Sequence, residues 1–118
     1  MILRSFLVLA ASSFLFLGCG SLTGGDHACD LRPDTAQCTD WRNLIGPTFT
    51  QEGVCQTLAA TGKGTWKPNE RCPAEGSVGG CQTKSAPNIL QTNWFYAPKT
   101  EAEVRAECAD DGTTFVTP

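Results

Sequence analysis

The stretch CDLRPDTAQC (residues 29–38) begins and ends with a cysteine, and CPAEGSVGGC (residues 72–81) has the same nine-residue separation. A third cysteine follows each pair, Cys55 in the first case and Cys108 in the second. Repetition of a spacing within one chain is the usual sign of an internal repeat. The cysteine pattern therefore predicts that the domain is built from two similar halves.

The residues after each third cysteine are also similar. The segment after Cys55 contains Gly64-Thr65-Trp66, and the segment after Cys108 contains Gly112-Thr113-Thr114-Phe115. We predict a disulfide-rich domain over residues 29–118 that contains pseudo-repeats at residues 29–66 and 72–116. Each pseudo-repeat is expected to hold extended segments and one short helix, which makes the fold class a small α+β domain.

The composition indicates that disulfides must support this domain. Beyond residue 18, Leu, Ile, Val and Phe together account for 14 of 100 residues. That share is below the roughly 20% at which chains usually fail to form a core. In an oxidising compartment, disulfides can compensate for a thin core. We predict that six cysteines form structural disulfides: Cys29, Cys38, Cys55, Cys72, Cys81 and Cys108.

Parity constrains how these cysteines pair. Each half holds three, so an odd number of disulfides must join the two halves if all six are bonded within the chain. Two pairings that respect the repeat remain open. One is Cys38–Cys55 with Cys81–Cys108 and a crossing Cys29–Cys72; the other is Cys29–Cys38 with Cys72–Cys81 and a crossing Cys55–Cys108.

Local signals predict one short helix in each half. Thr100-Glu101-Ala102-Glu103 fits a capping box, and Gly112 fits a left-handed stop after the helix. In the first half, Thr50 is predicted to cap the helix and Gly62 to end it. Gly53 weakens this helix by about 1 kcal/mol relative to alanine.

The strongest strand signal is Asn93–Ala97, which contains three consecutive aromatic residues. In a strand, Trp94 and Tyr96 point to one face and Phe95 to the other. Two roles are open for Trp94 and Tyr96. They either fill the core or face a ligand on which they stack.

The sequence offers no catalytic group in a recognisable arrangement. His27 is the only histidine, and it falls in the segment before the predicted domain. Ser77 lacks the spacing of a nucleophile elbow, and the carboxylates of Glu101 and Glu103 are neighbours that diverge on a helix. No spacing typical of a metal site occurs. We therefore expect neither catalysis, nor a metal, nor a cofactor.

The amino-terminal segment differs from the rest of the chain. One positive charge, Arg4, precedes an uncharged and mainly apolar run over residues 5–18. This layout is typical of a secretory signal peptide, here residues 1–18. The run is also shorter than the about 20 residues that a membrane-spanning helix needs. Residues 19–28 are expected to form a flexible tether, since Gly, Ser and Thr are frequent there.

The segment Phe16-Leu17-Gly18-Cys19 resembles the lipobox of bacterial lipoproteins, although Phe16 stands where leucine is usual. The resemblance implies that Cys19 is the lipid attachment site, carrying a diacylglycerol on sulfur and an acyl chain such as palmitate on its amine. It also implies an outer-membrane rather than an inner-membrane location, because Gly20 replaces the aspartate that favours inner-membrane retention. Cys19 is the seventh cysteine, so it is left over when the other six pair.

Charge and anchoring define the expected function class. The net charge is −3 and no basic run occurs, which argues against nucleic acid as a partner. The chain also resembles short cysteine-rich bacterial lipoproteins, which share no common activity. We expect a membrane-anchored, non-catalytic cell-envelope lipoprotein that binds or scaffolds an envelope protein or glycan. The alternatives are a small hydrolase, or hydrolase inhibitor, acting on peptidoglycan or secreted enzymes, and a secreted effector or toxin.

Overall fold

The computed structural model describes residues 24–58, 64–85 and 88–118. In chain order, these residues form β1 (Gly25–Asp30), β2 (Gln37–Leu44), α1 (Phe49–Leu58), β3 (Thr65–Pro68), β4 (Ser77–Ser85), β5 (Ile89–Tyr96), α2 (Glu101–Asp111) and β6 (Thr114–Val116). The strands form one sheet in the order β3-β1-β2-β5-β4-β6, and every neighbouring pair is antiparallel. The predicted signal peptide, Cys19 and the first part of the predicted tether lie outside the described residues.

The fold class agrees with the prediction in its coarse features. The described chain is a small domain with an antiparallel sheet, two short helices and three disulfides. The sheet dominates, since the strands hold more of the chain than the helices do. The domain is therefore a sheet with two helices attached, rather than an even mixture of both.

The two halves have the same order of elements. β1, β2, α1 and β3 form the first half, and β4, β5, α2 and β6 form the second. The strand order reads the same from either edge, because β2 and β5 pair at the centre and each half ends in an edge strand. The repeated order of elements is thus visible in the fold, although the boundaries of the two halves differ from the predicted ones.

Three disulfides connect the six cysteines. Cys29–Cys55 joins β1 to α1, and Cys81–Cys108 makes the corresponding link from β4 to α2. Cys38–Cys72 joins β2 to the connector, residues 69–76 between β3 and β4. One bond therefore crosses between the predicted halves, as parity requires.

Neither of the two predicted pairing patterns is correct as a whole, although Cys81–Cys108 belongs to one of them. Both predicted patterns fail because they match the wrong cysteines of the two repeats. Cys29 corresponds to Cys81, not to Cys72, because these two occupy the strands that bond to the helices. Cys72 lies in the connector, whereas Cys38 lies in β2, so the equal separations Cys29–Cys38 and Cys72–Cys81 do not join corresponding positions.

The core formed by the described residues consists of three clusters, each built around one disulfide. The first lies under α1 and comprises Cys29, Leu31, Trp41, Leu44 and Cys55. The second lies under α2 and comprises Cys81, Phe95, Val104 and Cys108. The third comprises Ala28, Cys38, Cys72, Trp94 and Tyr96. The disulfides therefore occupy the positions that large aliphatic side chains fill in richer cores.

Strand register assigns these clusters to the two faces of the sheet. Cys29, Thr39, Asn93 and Cys81 lie opposite one another across four strands, so their side chains share one face. We call it the helical face, since Cys29 and Cys81 bond to the helices there. Neighbouring residues such as Cys38 point to the opposite face. The connector covers that opposite face through Cys72.

The helix ends follow the sequence signals in the second half only. The hydroxyl of Thr100 accepts a hydrogen bond from the Glu103 N–H, and the Glu103 carboxylate accepts one from the Thr100 N–H. Gly112 ends α2 with a φ of 68°, a left-handed conformation that costs glycine little. Both predictions are confirmed. The predicted cap at Thr50 is wrong, because α1 begins at Phe49 and Thr50 lies inside it. Gly62 lies outside the described residues.

The folded domain begins earlier in the chain than the sequence predicts. Residues 25–28, assigned to the tether from their composition, belong to β1, which pairs with both β2 and β3. A strand of six residues that includes glycine, aspartate and histidine has little intrinsic β-propensity. Its place in the sheet comes from its partners. In the described part of the chain, no helix is long and apolar enough to cross a membrane.

Candidate binding groove between the two helices

The two helices stand at opposite ends of the helical face. α1 packs on β1 and β3, and α2 packs on β4 and β6. The central strands β2 and β5 are left between them, and a groove of about 450 Å³ opens there against the side of α1. Its floor is made by Gln37, Thr39, Trp41, Gln91 and Asn93, and its wall by Thr50, Gln51 and Val54.

Strand register brings the floor together. Thr39 lies opposite Asn93 at the centre, and Trp41 lies opposite Gln91 at one end. Gln37 marks the other end, opposite Phe95. Because side chains alternate along a strand, residues two apart on β2 and on β5 reach the same face. The apolar clusters lie at the two ends of this face, so the centre is a polar gap.

Hydrogen bonds fix the orientation of two floor amides. The Thr39 hydroxyl donates to Asn93 Oδ1 at 2.8 Å, and Trp41 Nε1 donates to Gln91 Oε1 at 3.1 Å. Each amide oxygen is thereby engaged, and each amide nitrogen makes no hydrogen bond to another described residue. The floor therefore offers N–H donors to whatever enters the groove.

The α1 wall adds an acceptor and an apolar surface. Gln51 Oε1 is buried and has no hydrogen-bond partner among the described residues. A buried polar atom without a partner costs about 1–3 kcal/mol. Turning the Gln51 side chain towards a donor on a ligand in the groove would therefore be favoured. Val54 is 43% exposed. Cys55, which follows it, is fixed to β1 by its disulfide and holds this wall in place.

Charge is balanced at the end of the floor nearest α2. Lys99 Nζ lies 4.4 Å from the centre of the Phe95 ring and forms an ion pair with Glu107. Phe95 is the residue opposite Gln37, so this pair lies beside the floor. Among the residues that the structure describes, those lining the groove are all uncharged. The groove is thus a neutral site on an acidic chain.

The two aromatic residues singled out from the sequence do not line this groove. Trp94 is 7% exposed and Tyr96 is 5% exposed, and both belong to the cluster on the opposite face. Trp94 Nε1 donates to Asp40 Oδ2 at 3.0 Å, and the Tyr96 hydroxyl donates to the Pro73 carbonyl at 2.6 Å. Both side chains are therefore buried in the core, which is one of the two roles that the sequence leaves open.

Asp40 is the most deeply buried carboxylate on that opposite face. Its Oδ2 accepts from the Cys72 N–H as well as from Trp94, whereas Oδ1 has no partner among the described residues. Burial raises the pKa of Asp40, against the effect of these hydrogen bonds. The carboxyl positions the connector on the sheet.

Asp30 forms a second charged cluster on β1. Arg32 and Lys67 both contact its carboxylate, at 2.8 and 3.2 Å. Burial raises the pKa of Asp30, but the hydrogen bonds from Arg32 and Lys67 outweigh burial and hold the pKa at about 2. Arg32 also lies 4.2 Å from the centre of the Tyr96 ring. These contacts are mutually satisfied, so the cluster stabilises the fold.

The side chains weighed as catalytic groups lie apart from one another. His27 is part of β1, where its ring stacks on Trp66 and its Nδ1 accepts from the Asn69 N–H. Ser77 begins β4, and β2 and β5 lie between the two strands. Within the described ranges, no group of three or more His, Cys, Asp or Glu side chains lies close enough to hold a metal ion.

Sequence reasoning missed the groove residues. Gln37, Thr39, Gln91 and Asn93 carry no motif, and each is a common surface residue. Their signal is the alternation of polar side chains two apart in two segments, which becomes informative only once both segments are known to pair. The sequence matches no protein-family model, no curated protein and no solved structure. The chemistry of the groove is therefore the guide to function.

Proposed function

We propose that this protein is an exported, lipid-anchored cell-envelope lipoprotein whose domain is a non-catalytic binding module. The groove on the helical face is its binding surface. The observation that carries the proposal is the pair of floor amides, Gln91 and Asn93, whose oxygens accept hydrogen bonds while their nitrogens donate none to the described residues. Donors fixed on the strands of a sheet are preorganised, which lowers the cost of binding a ligand.

The cysteine chemistry supports the extracytoplasmic location. Disulfides persist in oxidising compartments such as the bacterial periplasm and the cell surface. Three of them take up six cysteines, and the remaining one, Cys19, is the residue at which the lipobox resemblance puts the acyl chains. Two acyl chains suffice for stable anchoring, and Gly20 favours the outer membrane by the same resemblance.

Site-specific photo-crosslinking in cells tests the binding surface. A photoreactive side chain replaces Val54 in the groove wall of the full-length protein. The matched control replaces Gln56, which is exposed and lies two residues further along α1. We expect covalent adducts at position 54 and not at position 56. Adducts of equal yield at both positions, or at neither, would contradict the proposal.

Cys19→Ser tests the anchor independently of the groove. The variant cannot accept a thioether-linked diacylglycerol, so we expect the protein to move from the membrane fraction to the soluble fraction and to lose incorporation of labelled palmitate. Retention in the membrane with label still incorporated would show that Cys19 is not the attachment site.

A further inference from the structure

We propose that the groove on the helical face binds an uncharged saccharide, a neutral or N-acetylated glycan segment of the cell envelope. This inference rests on the proposed function, because it names the class of ligand for the same groove. It is drawn from three properties of the site: its neutrality, the mixture of donors and acceptors that it presents, and the absence of a free strand edge at its floor.

Neutrality selects against charged ligands. The described residues that line the groove carry no charge, and the nearby Lys99 is paired with Glu107. A phosphate, carboxylate or ammonium group placed there would lose water without gaining a counter-charge, which is costly. An uncharged polar ligand does not meet that cost.

The polar groups match hydroxyl chemistry. Asn93 Nδ2 and Gln91 Nε2 are donors without a partner among the described residues, whereas Gln51 Oε1 is a buried acceptor without one. A sugar hydroxyl both accepts and donates a hydrogen bond. A ring bearing several hydroxyls, or an acetamido group, can therefore satisfy the floor and the wall together, while Val54 contacts the apolar C–H face of the ring.

The topology selects against an extended peptide, the main competing class. Peptides that bind sheets do so chiefly by adding a strand to an exposed edge. The floor lies on β2 and β5, the two central strands, and each is already paired on both sides. Recognition at this floor must therefore use side chains, as it does for a saccharide.

Calorimetric titration of the purified full-length protein tests the inference. The probes are β-1,4-linked N-acetylglucosamine tetramer, cellotetraose as a neutral glycan without acetamido groups, galacturonate tetramer as an anionic glycan, and an uncharged tetrapeptide. We expect binding of at least one neutral glycan and none of the anionic glycan or the peptide. Comparison of the first two probes shows whether the acetamido group is recognised.

Groove variants connect the binding to this site. Loss of one hydrogen bond is worth roughly 1 kcal/mol, so Gln91→Ala and Asn93→Ala should weaken glycan binding by about five- to tenfold. Gln37→Ala removes a floor amide whose side chain makes no hydrogen bond within the described fold, so a smaller loss is expected without a change in folding. The matched control is Gln82→Ala on β4, whose side chain lies on the opposite face and contacts Thr92. It should bind as the unmodified protein does.

The outcomes separate the two proposals. The saccharide inference would be overturned if neither neutral glycan bound, or if the anionic glycan or the peptide bound more tightly. It would also be overturned if all the groove variants bound glycan as tightly as the unmodified protein. If crosslinked adducts at position 54 persist in that case, the groove still binds a partner and only the class of ligand is wrong. If position 54 also gives no adducts, the proposed function fails with it.

Discussion

The two halves of this domain have the same elements, yet they stabilise their helices in different ways. α2 has a complete capping box at Thr100, a glycine stop at Gly112 and a fully buried Val104. α1 has no side-chain cap among the described residues, holds Gly53 in its middle and leaves Phe49 72% exposed. The second half therefore holds its helix by local signals, whereas the less regular helix of the first half forms the wall of the groove, whose floor comes from both halves.

The difference shows how a repeated unit can divide its tasks. Both helices are tied to the sheet by a disulfide at the same place, so α1 needs little intrinsic stability. Side chains of α1 can then line the groove instead of stabilising the helix. Gln51 and Val54 do so, whereas α2 exposes mainly charged side chains.

The largest expected effect comes from removing one helix-to-sheet disulfide at a time. The sequence separations of Cys29–Cys55 and Cys81–Cys108 are 26 and 27, so loss of either bond should reduce the free energy of unfolding by a similar amount, about 3–4 kcal/mol. The residual structure should differ. Replacing Cys29 and Cys55 by alanine should expose the amides of α1 to fast hydrogen exchange, whereas α2 should keep partial protection after Cys81 and Cys108 are replaced. Equal exchange in both helices would remove the distinction between the halves.

Acid stability should depend on the first half. The pKa of Asp30 is about 2 in the folded protein and about 3.9 in an unfolded chain. Because the folded value is the lower one, the stabilisation is present above pH 4 and is lost as the pH falls towards 2. Asp30→Asn should therefore lower the free energy of unfolding by about 1–2 kcal/mol at pH 6, a range reduced because Arg32 and Lys67 are partly exposed.

Denaturant titrations at several pH values measure this effect. The unmodified protein and Asp30→Asn should differ at pH 6 and converge near pH 2. Gln82 follows Cys81 as Asp30 follows Cys29, so Gln82→Ala is the control from the second half and should leave the pH dependence unchanged. A constant difference between pH 6 and pH 2 would show that the Asp30 ion pairs do not contribute.

The smallest effects come from one glycine in each helix region. Outside its own helix backbone, a methyl group added at Gly53 meets no atom of the described residues within 4 Å, so Gly53→Ala should stabilise the domain by about 0.5–1 kcal/mol. Gly112 has a φ of 68°, so Gly112→Ala should destabilise it by about 1 kcal/mol. Thermal unfolding of both variants measures these changes. Changes of the same sign would contradict the view that α1 is the unoptimised helix.

The sequence predicts α2 well because its signals are local. Thr100, Glu103 and Gly112 satisfy backbone groups within one or two turns of themselves, so no knowledge of the rest of the fold is needed. The aromatic strand around Trp94 is predictable for the same reason, and it extends as β5 from Ile89 to Tyr96.

The disulfide pattern and the groove could not be predicted because both depend on distant partners. The position of Cys72 in the connector, rather than in a strand, changes the match between the repeats, and spacing alone does not reveal it. Thr39 and Asn93 are 54 residues apart and meet only through the register of β2 with β5. The sequence likewise predicts a tether at His27, because β1 has no strong strand signal of its own.

The early start of β1 also limits how far the domain can stand from its anchor. Gly25 is already in the sheet, and six residue-to-residue steps separate it from Cys19. A fully extended chain covers at most about 3.6 Å per residue, so under the proposed anchoring the sheet begins within about 20 Å of the lipid. With so short a connection, the proposed anchor would keep the groove close to the membrane surface. A ligand would then have to reach that surface to be bound.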